Sequence, residues 1–199
     1  MTIDLDEAKV ERNELGLWLG WTLATAGGML LGFLPTLLLV NVLNLGLAQI
    51  IVPVFAGTIV GLAQWLALRR FLTATSDWIW AGGASWSVGY VAGLFLIQNI
   101  PGTVFAGIAG YLLFGAIVAL VQWPLLRREI PHLFVWMIAS SIGWALGFWA
   151  SQAVLPLFLN GPTIAPAVST AVIAVTSGLV AGAITGLALV WIVREPDVV

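Results

Sequence analysis

The chain has no cysteine, which excludes disulfides, thiolate metal sites and lipid-modified cysteine anchors. A single histidine, His132, and a charged fraction of 8% leave no ligand cluster for a metal. The net charge of −2 offers no basic surface, so nucleic acid is not an expected partner. Charge is missing altogether from the interiors of the long apolar stretches. Proton-coupled carriers, intramembrane proteases and metal transporters keep ionisable groups inside their spans, where such groups carry the function. None of those three classes is expected here, and neither is a nucleotide-binding loop. The reading is of a non-enzymatic protein with no catalytic residue and no cofactor.

What the chain does have is apolar length. It is 61% hydrophobic, with a mean hydropathy of +1.07. A soluble fold of 199 residues cannot bury that much apolar surface, whereas a bilayer solvates it. Apolar stretches run over about 15–40, 46–68, 78–98, 102–126, 132–158 and 165–193, each near the roughly 20 residues that cross a hydrocarbon core. The sequence therefore predicts an all-α membrane protein with one six-helix domain over 15–194. An acidic segment, 1–14, precedes it and a short tail, 195–199, follows.

All seven basic residues (Lys9, Arg12, Arg69, Arg70, Arg127, Arg128 and Arg194) fall before the first stretch or just after the second, fourth and sixth. The nine acidic residues fall in the same four places, and the other three connections carry no charge. By the positive-inside rule both termini are expected in the cytoplasm, across a bacterial cytoplasmic membrane. The acidic start is unlike the basic start of a signal peptide, so the first stretch is expected to remain as a helix. The arginines act first as topological determinants and can also hold anionic lipid headgroups.

A pattern of small residues four apart is written three times. Gly28 and Gly32, Gly89 and Gly93, and Gly143 and Gly147 mark the odd stretches. Gly57 and Gly61, Gly115 and Ala119, and Gly182 and Gly186 mark the even ones. The odd pairs recur at intervals of 61 and 54 residues, and the even pairs at 58 and 67. Each interval holds one antiparallel helix pair with its connections. Three parallel hairpins follow, over about 15–70, 77–128 and 131–194, related by an axis along the membrane normal. Small residues four apart share a helical face and let backbones approach, so packing is their expected role. Pro35, Pro53 and Pro101 are expected near segment ends, and Pro124 inside the fourth segment, where it bends the helix.

Tryptophan is abundant, with 11 copies. Trp18, Trp65, Trp78, Trp80, Trp123, Trp136 and Trp191 lie near the charged ends and read as an interfacial aromatic belt, with Trp149 its counterpart at the opposite interface. Trp86 and Trp144 fall deeper. Buried indoles seek partners for their N–H groups, so these two are the candidate pocket walls. Gln64 and Gln122 end the second and fourth stretches as Gln-Trp…Arg-Arg. Their amides either bond between helices or meet a polar ligand group. In the third copy Leu189 and Val190 replace that pair, so the symmetry is degraded. Asn41, Asn44, Gln49, Gln98, Asn99, Gln152 and Asn160 gather at the uncharged ends, where amides satisfy exposed backbone. His132 reads as a solvated loop residue.

The Gln-Trp…Arg-Arg ends, together with the run Trp136-Met-Ile-Ala-Ser-Ser-Ile-Gly-Trp-Ala-Leu-Gly-Phe148, resemble a group of uncharacterised, tryptophan-rich bacterial membrane proteins. The resemblance covers most of the chain and implies a six-span helical protein without an assigned activity. In size the chain is also similar to the substrate-binding subunits of vitamin importers, whose motifs it does not carry. The expected role is through helix–helix or lipid contacts, as an accessory subunit of a membrane complex. The alternative is a binder or facilitator for a hydrophobic or neutral small molecule. It would use a cavity on the pseudo-threefold axis lined by Gln64, Gln122, Trp86 and Trp144.

Overall fold

Among the described residues six α-helices make up the fold: α1 (Glu14–Phe33), α2 (Leu45–Leu68), α3 (Asp77–Asn99), α4 (Thr103–Leu126), α5 (Leu133–Phe158) and α6 (Pro166–Arg194). The structure, a computed structural model, describes residues 14–35, 37, 45–71, 76–100, 103–127, 133–158 and 166–194. Among these there is no strand, and all six helices are long and apolar enough to cross a membrane. The expectations for Lys9, Arg12, Asn41, Asn44, Pro101, Arg128, His132 and Asn160, and for both tails, fall outside the described residues.

Proline sets several boundaries. α1 ends at Phe33, short of the expected residue 40, because Pro35 has no N–H to continue the ladder and restricts the residue before it. The Leu34 amide still reaches the Leu30 carbonyl at 3.1 Å. Ile100 is extended, at φ −99° and ψ 126°, as expected of a residue that precedes a proline. Its amide closes the last turn of α3 on the Leu96 carbonyl at 2.9 Å. Pro53 lies inside α2, as the expected stretch 46–68 places it, and its missing N–H leaves the Gln49 carbonyl without its i+4 donor. Pro124 lies inside α4.

The helices form a closed ring in chain order. Each packs against its neighbours in the sequence, and α1 packs against α6. Glycines make the seams. A Cβ on Gly28 would lie 2.8 Å from Val60 Cα, and one on Gly32 would lie 3.0 Å from Ala56 Cα, so both sit on α2. Gly57 meets Trp86 and Gly82 of α3 at 2.5 and 2.6 Å, and Gly61 meets Ile79. Gly89 and Gly93 pack on Phe114 and Gly110 of α4, and Gly115 packs on Ser140 and Ser141 of α5. Gly143 and Gly147 face Ala181 and Ser177 of α6. Gly182 and Gly186 face Thr22 and Trp18 of α1. Ala119 is fully buried. Each of these glycines thus rests on the next helix around the ring.

The last seam closes the circle with polar contacts too. Trp18 Nε1 donates to the Ala183 carbonyl at 2.9 Å, and Arg194 pairs with Glu14 at the helix ends. Leu31, Phe105 and Phe134 are among the large side chains exposed on the outer faces. The end bearing Arg69, Arg70, Arg127 and Arg194 is called the arginine end below, and its opposite the far end.

Candidate ligand site on the bundle axis

Because the helices are antiparallel neighbours, residue number sets height along the axis. The far half of the ring holds a partly open cavity of about 390 Å³. Every helix contributes to its wall: Met29 and Phe33 from α1, Gln49 and Pro53 from α2, Trp86 and Tyr90 from α3. Tyr111 and Phe114 of α4, Trp144 and Phe148 of α5, and Ala174 and Ser177 of α6 complete it. The wall is largely apolar, rich in aromatic rings, and carries no charged side chain. Tyr111 stacks on Phe148 with ring centroids 3.8 Å apart. The Ser177 hydroxyl is buried and has no hydrogen-bond partner among the described residues.

Three rings floor the cavity. Trp86, Phe114 and Trp144 meet one another edge to face, with centroids 5.1 to 5.4 Å apart and interplanar angles of 83° to 90°. Such pairs are favourable because the positive edge of one ring meets the negative face of the next. The trio draws one ring each from α3, α4 and α5, so it ties neighbouring helices together across the axis.

Beneath the trio lies a polar layer around a chamber of about 10 Å³, lined by Gln64, Gln122, Ser140, Thr185 and Trp136 among others. Trp21 Nε1 donates to Thr185 Oγ1 at 2.8 Å, and Thr185 donates to the Ala181 carbonyl at 2.7 Å. Gln64 uses both ends of its amide. Its Nε2 donates to Thr25 Oγ1 at 3.1 Å, and its Oε1 accepts from Trp78 Nε1 at 3.3 Å. Thr25 passes its own proton to the Trp21 carbonyl at 2.9 Å. Gln122, equally buried, makes no hydrogen bond among the described residues. Trp136 Nε1 is buried without a partner.

A second aromatic layer closes the arginine end. The Trp21 ring meets those of Trp78 and Trp136 edge to face, at 6.0 and 5.9 Å. All three are 1% exposed, and Leu68 and Leu189 pack beside them.

The structure thus redistributes the residues singled out in the sequence. Trp86 and Trp144 line both the cavity and the chamber. Gln64 and Gln122 line the chamber but not the cavity. Trp78 and Trp136, expected in an interfacial belt, are instead core residues on the axis, because their helices are rotated to turn them inward. Trp80, Trp149 and Trp191 do face outward. Arg69 lies over the Trp65 ring, 4.9 Å from its centroid, while Arg70 and Arg127 are exposed. Asn99 caps its own helix by donating to the Phe95 carbonyl at 2.7 Å. Among the described residues no three His, Asp or Glu side chains come together as metal ligands.

Trp21, Phe114, Ser140 and Thr185 were not anticipated, although spacing held a signal. Trp21 and Trp136 each stand seven residues before the first glycine of their pair, and Gln64, Gln122 and Leu189 each stand seven after theirs. Seven residues is about two turns, which returns a side chain to the same face. The chain matches no known protein family, no curated protein and no solved structure.

Proposed function

We propose that this is an integral membrane protein that binds a neutral, largely apolar small molecule in its axial cavity. In this reading its six helices insert as three parallel hairpins about a pseudo-threefold axis, with the arginine end and both termini in the cytoplasm. Helix length and apolarity, the outward-facing large apolar side chains and the one-sided charges support insertion. The observation that carries the binding reading is the cavity itself: about 390 Å³, aromatic-walled, uncharged and floored by a ring trio. Ligand pockets commonly span roughly 300–1,000 Å³ with mainly apolar walls and a few polar groups. A dry cavity of roughly 150 Å³ takes up benzene, so this one has room for a molecule of about two rings. A bundle serving only to pack would gain by filling that space, since a void forfeits contacts on every wall.

Naphthalene is a suitable probe, with the protein in lipid nanodiscs. Saturable binding at a single site is expected, and it should be abolished by Ala174→Phe, which places a ring inside the cavity while leaving the seams intact. Uptake that is unsaturable and equal in both proteins would mean simple partition into lipid. That result would leave the second reading, a role exerted through helix and lipid contacts as a subunit of a membrane complex. One observation favours that role independently: glycine seams bring helix backbones into contact all around the ring.

A further inference from the structure

The chamber between the two aromatic layers has the attributes of a second site. Its volume of about 10 Å³ is close to the least that holds a water, which needs two to four polar partners. The wall offers donors that nothing else uses. Trp136 Nε1 is buried and unpartnered, and the Gln122 amide makes no hydrogen bond among the described residues. Ser140, one turn along from Trp136, shares the same wall. The neighbouring polar groups are committed, Trp21 to Thr185 and Gln64 to both Thr25 and Trp78. An indole N–H can only donate, so its missing partner is an acceptor. The chamber has no charged side chain in its wall, and an ion there would stay uncompensated. The missing partner is therefore neutral.

We propose that this chamber binds one neutral oxygen acceptor. It is either a water molecule or the terminal oxygen of a molecule seated in the cavity beyond the shared Trp86 and Trp144 wall. Only the second source rests on the cavity reading above.

The test is nuclear magnetic resonance of the full chain in nanodiscs with isotope-labelled tryptophan indoles. Loss of a resonance in Trp136→Phe identifies Trp136, and a selective shift in Gln122→Leu identifies it if that variant does not fold. A hydrogen-bonded, downfield Trp136 N–H is expected, with magnetisation transfer to water in the unliganded protein. Two probes then separate the sources: acetylnaphthalene, a ketone, and isopropenylnaphthalene, its hydrocarbon match in shape. If the ketone abolishes the water transfer and the hydrocarbon does not, the ligand's oxygen is an occupant. The ketone should then bind roughly three- to tenfold more tightly, and Gln122→Leu should erase that preference. If water transfer persists with both probes, water is the occupant. A Trp136 N–H at the position of a free indole, with no water transfer and no response to the ketone, overturns the proposal. Water transfer without binding of either probe overturns the cavity reading and upholds this one.

Discussion

Gln64 and Gln122 occupy matching places in their helices and do different work. Gln64 holds two helices at once, since Thr25 lies on α1 and Trp78 on α3. Removing a buried partner costs the full desolvation of whatever it strands. Gln64→Leu strands the Trp78 indole N–H and should lower unfolding stability by about 1–3 kcal/mol. Gln122→Leu strands no protein group and should change stability by less than about 1 kcal/mol. Reversible unfolding in mixed micelles compares the two, and equal losses would contradict the bonding pattern described here. The sequence marks both glutamines as polar residues in apolar helices and gives no sign of their difference. That difference comes from Thr25 on α1 and Trp78 on α3, which reach the axis from the helices on either side of α2. Burial of Trp78 and Trp136 was equally hidden, because a belt tryptophan and an axial one stand at the same distance from a helix end. Only rotation about the helix axis separates them.

At the scale of the element, rotation is usually read from an apolar stripe, but these helices are apolar on every face. Small residues stand where backbones meet, as Gly28 does on Val60 and Gly57 on Gly82, and what was legible in the sequence is the six long apolar helices themselves. The substitution Gly57→Ala puts a methyl 2.5 Å from Trp86 Cβ and 2.6 Å from the Gly82 carbonyl. Because a backbone atom stands in the way, α2 and α3 must separate, at a cost of about 1–3 kcal/mol. Gly107→Ala meets nothing within 4 Å and should be neutral, or stabilising by up to about 1 kcal/mol through helix propensity. Thermal denaturation of the two variants should move in opposite directions or differ by several degrees. Helix ends were legible where proline fixes them, as at α3. They were misjudged at Pro35, where α1 stops at Phe33 and not near residue 40.

For the whole molecule the defining fact is closure, which no local pattern announces. The outermost contact between α1 and α6 is the Glu14–Arg194 pair. An exposed ion pair contributes at most about 1 kcal/mol, so its value is as a marker of proximity. With no native cysteine in the chain, the double variant Glu14→Cys, Arg194→Cys gives an unambiguous test. A bifunctional thiol crosslinker, long enough to span the reach that the Glu and Arg side chains now cover, should circularise the chain, so that cutting it once in a connecting loop yields a single product of full mass. Two fragments after crosslinking would mean that α1 and α6 are not adjacent. The seams carry a further consequence, because every glycine pair faces the helix that follows it. These pairs run in one direction around the ring, while Gly82 and Gly110 rest back on Gly57 and Gly93, and a directional series ends only where the rotation brings it back to its start. Each helix that enters the structure presents the template for its successor, and α6 finds its own template in α1. Because α6 packs on α1, the wall around the axis is complete only with the last helix in place.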